Sequence, residues 1–443
     1  MTRVRRRKKN KIGFILLFLL ALLIVAGVAF QLGRNSQESV ASVGREATKE
    51  SVESTTSSKK DANTKGKQQI PQKKQSIDEK VNQLIKQMTL QEKVGQMLMV
   101  GFYGTEEDDK IKNMILSQKV GGVILFDRNM QTPQQVAGLT NQLKRETEKN
   151  KRPIPLMIGL DQEGGPVLRM RDAVSPIPSE QKLGQIASPQ EVFNISRLNG
   201  EELAAMGIQL DFAPVLDLSD QDERSFGSNP NKGFNLGLQS IKGLNSAKVT
   251  ATIKHFPGNG RVVVDPHLDT SIVKADKNTL ENVDMVPFKQ MIQRQKENQF
   301  FVMVTHVKYP AFDTKMPASI SKTIIQGLLR DQLGYQGIVV TDDLDMGAVS
   351  KYYSYEQLGY MAVNAGADLL LVCHDYNHQL QLYNGIIQSV QTGKLSEDRI
   401  NQSVKRILTY KFKHMSNHPV SEANAGKVVR SKKHLDMISN IYK

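Results

Sequence analysis

Eight short, mostly apolar runs recur along the chain beyond residue 75, at 97–101, 122–126, 155–160, 210–215, 249–253, 300–304, 337–340 and 368–372. Within them apolar residues follow one another rather than alternate, which suits strands covered on both faces, as in a parallel sheet packed under helices. The stretches between carry helical spacing, for example Val81, Leu84, Ile85 and Met88, or Ile320, Ile324 and Leu328. Eight strand–helix units in a row predict an α/β fold, a (β/α)8 barrel of the TIM type, forming a single domain over 76–443. An open, doubly wound sheet is the alternative, but no glycine-rich phosphate turn follows the first run.

Such a barrel carries its functional groups where strands end, on the C-terminal face. The third run is followed by Asp161-Gln162-Glu163-Gly164-Gly165, the fourth by Asp217 and Arg224, and the fifth by Lys254 and His255. His306 follows the sixth, Asp342 the seventh, and His374 and Asp375 the eighth. Beyond Lys254, the segment His255-Phe256-Pro257-Gly258-Asn259-Gly260 leads to Asp265-Pro266-His267. An Asp holding one imidazole nitrogen fixes the ring and leaves the other nitrogen to move a proton near neutral pH. A surface Asp-Pro turn is the plainer reading of that tripeptide.

Asp342 and Asp343 close the seventh run. Neighbours leaving a strand point opposite ways, so one carboxylate is expected to react and the other to serve structure; the expectation is Asp342 as the reactive one. Capping of the following segment is the alternative use. Asp161, Arg224 and Lys254 form a third group, suited to charge-assisted hydrogen bonds with sugar hydroxyls or, alternatively, to a salt-bridge cluster on the barrel top. Glu163 has no sequence feature that ranks it with Asp161. His255, His306 and Asp375 are placed like ligands in metal-binding amidohydrolase barrels, but these need a His-x-His after strand one, and residues 97–102 supply none. Neither a metal nor an organic cofactor is expected.

The charge is concentrated at one end. Residues 1–75 hold 16 Lys and Arg against 5 Asp and Glu, so +11 of the chain's +14 lies there and no basic surface remains to suggest nucleic-acid binding. Residues 1–11 carry seven of those cations, and 12–30 follow as nineteen residues without charge, long enough to span a membrane as a helix. The basic flank predicts a cytoplasmic tail, a transmembrane anchor and a catalytic domain outside. Cleavage as a secretory signal, near Gly27-Val28-Ala29, is the alternative. Residues 31–75 are polar enough to form a disordered linker. Cys373 is the only cysteine, so no intrachain disulfide can form.

Taken together, Gly121-Gly122-Val123-Ile124-Leu125-Phe126, Asp161-Gln162-Glu163-Gly164-Gly165, Phe212-Ala213-Pro214-Val215-Leu216-Asp217, Arg224-Ser225-Phe226, the Lys254 loop, Thr305-His306 and Thr341-Asp342-Asp343-Leu344 resemble glycoside hydrolase family 3, in its bacterial β-N-acetylglucosaminidase (β-hexosaminidase) branch. The resemblance covers roughly 77–410. It implies a (β/α)8 barrel with Asp342 as nucleophile, His267 as general acid/base assisted by Asp265, and Asp161, Arg224, Lys254 and His255 holding a terminal N-acetylglucosamine. Many relatives in the wider family take their acid from a Glu in a second domain. Here the residues after Asp342 are used by the last barrel units, so the resemblance points to the Asp-x-His loop. Three positions depart from the branch: Pro166 in place of Arg, Asn259 in place of His, and Pro266 in place of Ser. The implied partners are an N-acetylglucosamine-containing glycan, such as peptidoglycan fragments, and the membrane through the N-terminal helix. A family 3 hydrolase of another β-linked sugar, or a tethered glycan-binding barrel without turnover, are the other readings.

Overall fold

The computed structural model describes residues 75–262, 265–294 and 300–442. The expected tail, the anchor at 12–30 and nearly all of the expected linker lie outside the described residues. Among the described residues, no helix is long and apolar enough to cross a membrane.

The strands are β1 (Leu98–Val100), β2 (Gly122–Ile124), β3 (Met157–Leu160), β4 (Leu210–Asp211), β5 (Thr250–Phe256), β6 (Phe300–Val304), β7 (Val339–Asp343) and β8 (Leu369–Val372). They close into a barrel in chain order, every neighbouring pair parallel and β8 returning to β1. The barrel interior explains part of the sequence. Gly122 on β2 and Gly159 on β3 leave the space that Met99 of β1 fills: an added Cβ would lie 3.2 Å from Met99 Cγ at the first and 3.0 Å from Met99 Cε at the second.

Two strands run further than their apolar residues predict. β5 continues through Lys254 and His255, and β7 through Asp342 and Asp343, all of which the sequence places after the strands. At the open end of a barrel the backbone can go on pairing after the covering helices stop, so apolarity marks only the covered part of a strand. Both extensions contain a register shift, between Ile253 and Phe256 and between Val340 and Asp343, which interrupts the alternation of side chains.

The helices begin on recognisable signals. Ser188 and Glu191 form a capping box ahead of the helix Pro189–Ala205, and Asn229 caps Pro230–Ser246, each with proline in the first turn. The stretch around Ile324 and Leu328 is helical over Thr323–Gln332, wound with π-type hydrogen bonding. The helix Glu397–His414 closes the lower end of the barrel. Its buried Lys411 donates to Gly121 O at 2.7 Å and to Gln96 Oε1 at 2.8 Å, while Ser403 and Arg406 reach Asp368 at 2.6 and 3.1 Å. This helix thus serves the barrel itself.

Candidate active site

The loop after β3 doubles back at once. Glu163 N and Gly164 N both donate to Val167 O at 3.0 Å. Gly164 (φ 90°) and Gly165 (φ 53°) adopt left-handed angles, and a Cβ would lie 2.4 Å from Pro178 O or 2.3 Å from Ser179 Cβ respectively, so other residues are excluded on both grounds. The reversal returns Arg169 to its starting point: its amide donates to Gln162 Oε1 at 2.6 Å and its guanidinium stands 3.5 Å from Asp161 Oδ2.

Opposite this loop, Lys254 from β5 and Arg224 from the loop after β4 converge on the Glu163 carboxylate. Lys254 Nζ lies 2.7 Å from Asp161 Oδ1 and 2.6 Å from Glu163 Oε1; Arg224 grips Glu163 with Nε at 2.7 Å from Oε2 and Nη2 at 2.9 Å from Oε1. Burial by itself would raise the Glu163 carboxyl, but the two cations outweigh it and pull it down to about 2. Burial by itself would lower the Lys254 ammonium, yet Asp161 and Glu163 hold it above its ordinary range. Glu163, which no sequence feature ranks with Asp161, is the buried anion on which both cations close. Its only sequence signal is its place between Asp161 and the glycine pair.

His255 is fixed from behind. Its Nδ1 lies 2.6 Å from Asp217 Oδ2, its amide donates to Asp217 Oδ1 at 3.2 Å, and Asn259 N donates to the same oxygen at 2.6 Å. Nε2 of His255 is 3.5 Å from Arg224 Nη2. Asp217 thus acts as the support of His255.

At the end of β7, Asp342 Oδ1 accepts from Asp343 N at 2.9 Å. Burial tends to raise the Asp342 carboxyl, but the nearby imidazoles of His255 and His306, the Asp343 amide and Lys254 bring it below the ordinary aspartate value. Asp343 is engaged elsewhere: Oδ1 accepts from Asp345 N at 3.0 Å and Cys373 N at 3.2 Å, and Oδ2 lies 3.1 Å from His374 Nε2. Both residues border one cavity, with their carboxylates on different partners.

The remaining histidines and acids divide by partner. His306 is a brace, with Nδ1 2.6 Å from Ser319 Oγ and Nε2 2.8 Å from Asp343 O; burial lowers its pKa. Asp375 caps the helix Tyr376–Gln391, accepting from Asn377 N at 2.7 Å. His374 borders the cavity. Among the described residues no three His, Cys, Asp or Glu are grouped to hold a metal ion.

On the loop after β5, His267 Nδ1 lies 2.7 Å from Asp265 Oδ1, which also accepts the His267 amide at 2.9 Å. That amide bond above all, opposed by slight burial and helped by the ring, keeps the Asp265 carboxyl below its ordinary value. His267 and Asp342 border the same cavity of about 400 Å³, with Asp161, Glu163, Arg169, Arg224, Lys254 and His255. Asp265 does not line it and reaches it only through His267. Arg169 was missed in the sequence, since nothing there shows that the loop turns back. The three unusual positions lie apart from the cavity lining: Pro166 O accepts from Arg171 Nη2 at 3.1 Å, Asn259 Oδ1 accepts from Tyr309 OH at 3.0 Å, and Pro266 O accepts from Ala348 N at 3.1 Å.

Residues 89–410 match the family described as "Glycosyl hydrolase family 3 N terminal domain". The chain belongs to glycoside hydrolase family 3. Among curated relatives, the β-hexosaminidase of Haemophilus ducreyi is 32% identical over 351 residues, covering 77% of this chain and 97% of that one. The β-hexosaminidase A of Pseudoalteromonas piscicida is 30% identical over 369 residues, 74% of this chain, and the chain spans 61% of that relative's length. Of solved structures, the family 3 β-N-acetylglucosaminidase from a Paenibacillus superposes with a TM-score of 0.74 at 34% identity, over 80% of this chain and 68% of that one. This family 3 barrel therefore has the fold its sequence predicts, in a family of glycoside hydrolases.

Proposed function

We propose that the chain is a retaining exo-β-N-acetylglucosaminidase. Asp342 attacks the anomeric carbon as His267 Nε2 protonates the departing oxygen, giving a glycosyl ester on Asp342; His267 then takes a proton from water, which attacks the same carbon and releases the sugar with retained configuration. Asp265 orients His267. Asp161, Arg224, Lys254 and His255 hold the terminal sugar, with Glu163 fixing the two cations. The observation that carries this reading is that Asp342 and the Asp-backed His267 border one small cavity of about 400 Å³, a size suited to a small-molecule ligand. The β-hexosaminidase relatives supply the sugar class.

We also propose that this chemistry takes place outside the membrane, on N-acetylglucosamine-containing glycans of the cell wall, with residues 12–30 as the anchor. Incubation with an activated 5-fluoro N-acetylglucosaminyl fluoride, followed by peptide mass spectrometry, tests the mechanism: label on Asp342 is expected, and label on Asp343 or Glu163 overturns it. A parallel chromogenic screen separates the sugar class, since faster turnover of glucoside or xyloside than of N-acetylglucosaminide means another β-linked sugar. Binding without turnover of any of the three makes the barrel a glycan-binding module.

A further inference from the structure

The segment carrying His267 is exposed: the His267 side chain and residue Leu268 are both 67% accessible, so apolar packing does not fix it. Internally it is a closed turn, with Leu268 N donating to Asp265 O at 3.0 Å and His267 N to Asp265 Oδ1 at 2.9 Å. Its anchorage is backbone to backbone. Gly347 N donates to His267 O and Ala348 N to Pro266 O, both at 3.1 Å, and Thr270 Oγ1 returns a bond to Ala348 O at 3.0 Å. Tyr352 OH adds a bond to Asp269 Oδ1. The receiving segment begins four residues after Asp342 with Met346, which borders the cavity.

We propose that Gly347 and Ala348 are positioning residues for proton transfer: their amides hold the His267 turn against the chain that leaves the nucleophile strand, so that acid and nucleophile are set by one hydrogen-bonded unit. This rests on His267 being the general acid. Gly347 is required by close approach, because a Cβ there would lie 2.6 Å from Leu268 O and 2.9 Å from His267 O, and both atoms belong to the turn it would have to push away. The sugar-holding groups Asp161, Glu163, Arg224 and Lys254 come from other loops and strands and make no bond to this ladder. A shifted turn therefore costs proton donation and leaves sugar binding intact.

The test uses the full chain with Gly347→Ala, His267→Ala and the double variant, assayed on nitrophenyl N-acetylglucosaminide and on an N-acetylglucosamine disaccharide whose leaving group needs protonation. Gly347→Ala is expected to lower kcat on the disaccharide by about 10- to 100-fold and much less on the nitrophenyl substrate, in line with the cost of a displacement of about 1 Å. Inhibition by free N-acetylglucosamine should stay within about twofold. In the His267→Ala background, Gly347→Ala should add nothing. Ala348→Pro removes the other amide at a first-turn position where proline is tolerated, and should give the same signature if Gly347→Ala folds poorly. Equal losses on both substrates, or a Gly347→Ala effect undiminished without His267, overturn the positioning role. If His267→Ala itself shows no dependence on the leaving group, the acid assignment falls and the positioning role falls with it.

Discussion

Lys254 Nζ lies 2.6 Å from Glu163 Oε1, joining the end of β5 to the loop after β3 across the mouth of the barrel, with both side chains almost wholly buried. Arg224 closes on the same carboxylate from the loop after β4. One strand end and two loops are thus tied to one anion, and both cations owe their position to a carboxylate that is itself almost wholly buried.

Glu163→Gln should therefore destabilise the fold as well as the site. Breaking a buried pair by removing one charge costs about 3–5 kcal/mol. The carboxyl falls from an ordinary 4.5 to about 2 in the folded chain, so its contribution is fully present above pH 4.5 and is lost as pH falls through about 2. Urea unfolding at pH 7 and pH 3 checks this: the gap between wild type and variant should narrow at the lower pH, and a gap that widens refutes the assignment.

Asp217→Asn should disturb His255 without touching sugar directly. The carboxylate holds both the ring and the amide of His255, and the amide of Asn259 as well. A decrease of about 10- to 100-fold in kcat/KM on nitrophenyl N-acetylglucosaminide is expected, the size associated with misplacing a group by about 1 Å. Activity within threefold of wild type would mean that His255 does not depend on Asp217.

Asn259→Ala should leave KM within about twofold of wild type, because the side chain turns to Tyr309 and not to the cavity. The cost falls on stability, about 1 kcal/mol for a lost hydrogen bond, and is reduced by the second acceptor of Tyr309 OH, Gly258 O at 2.8 Å. Thermal unfolding beside steady-state kinetics separates the two effects.

The proposed topology is checked on intact protoplasts. External protease should release a soluble, active fragment beginning within 31–75, since a polar linker outside the membrane is open to cleavage. A barrel protected from that protease would place the domain on the other side.

The barrel, its strand count and the placing of acids and bases at strand ends were all legible in the sequence, because each follows from local pattern: apolar runs of strand length, helical spacing between them, and polar residues where a run stops. Asp342 and Asp265-Pro266-His267 stand out for the same reason. The partnerships were decided only by the tertiary structure. That Glu163 rather than Asp161 is the buried anion, that Asp217 backs His255, that Arg169 returns to Asp161, and that Gly347 receives the His267 turn are contacts between loops distant in sequence. They exist because closure of eight strands brings those loops to one rim, and no local periodicity records which side chain meets which across it.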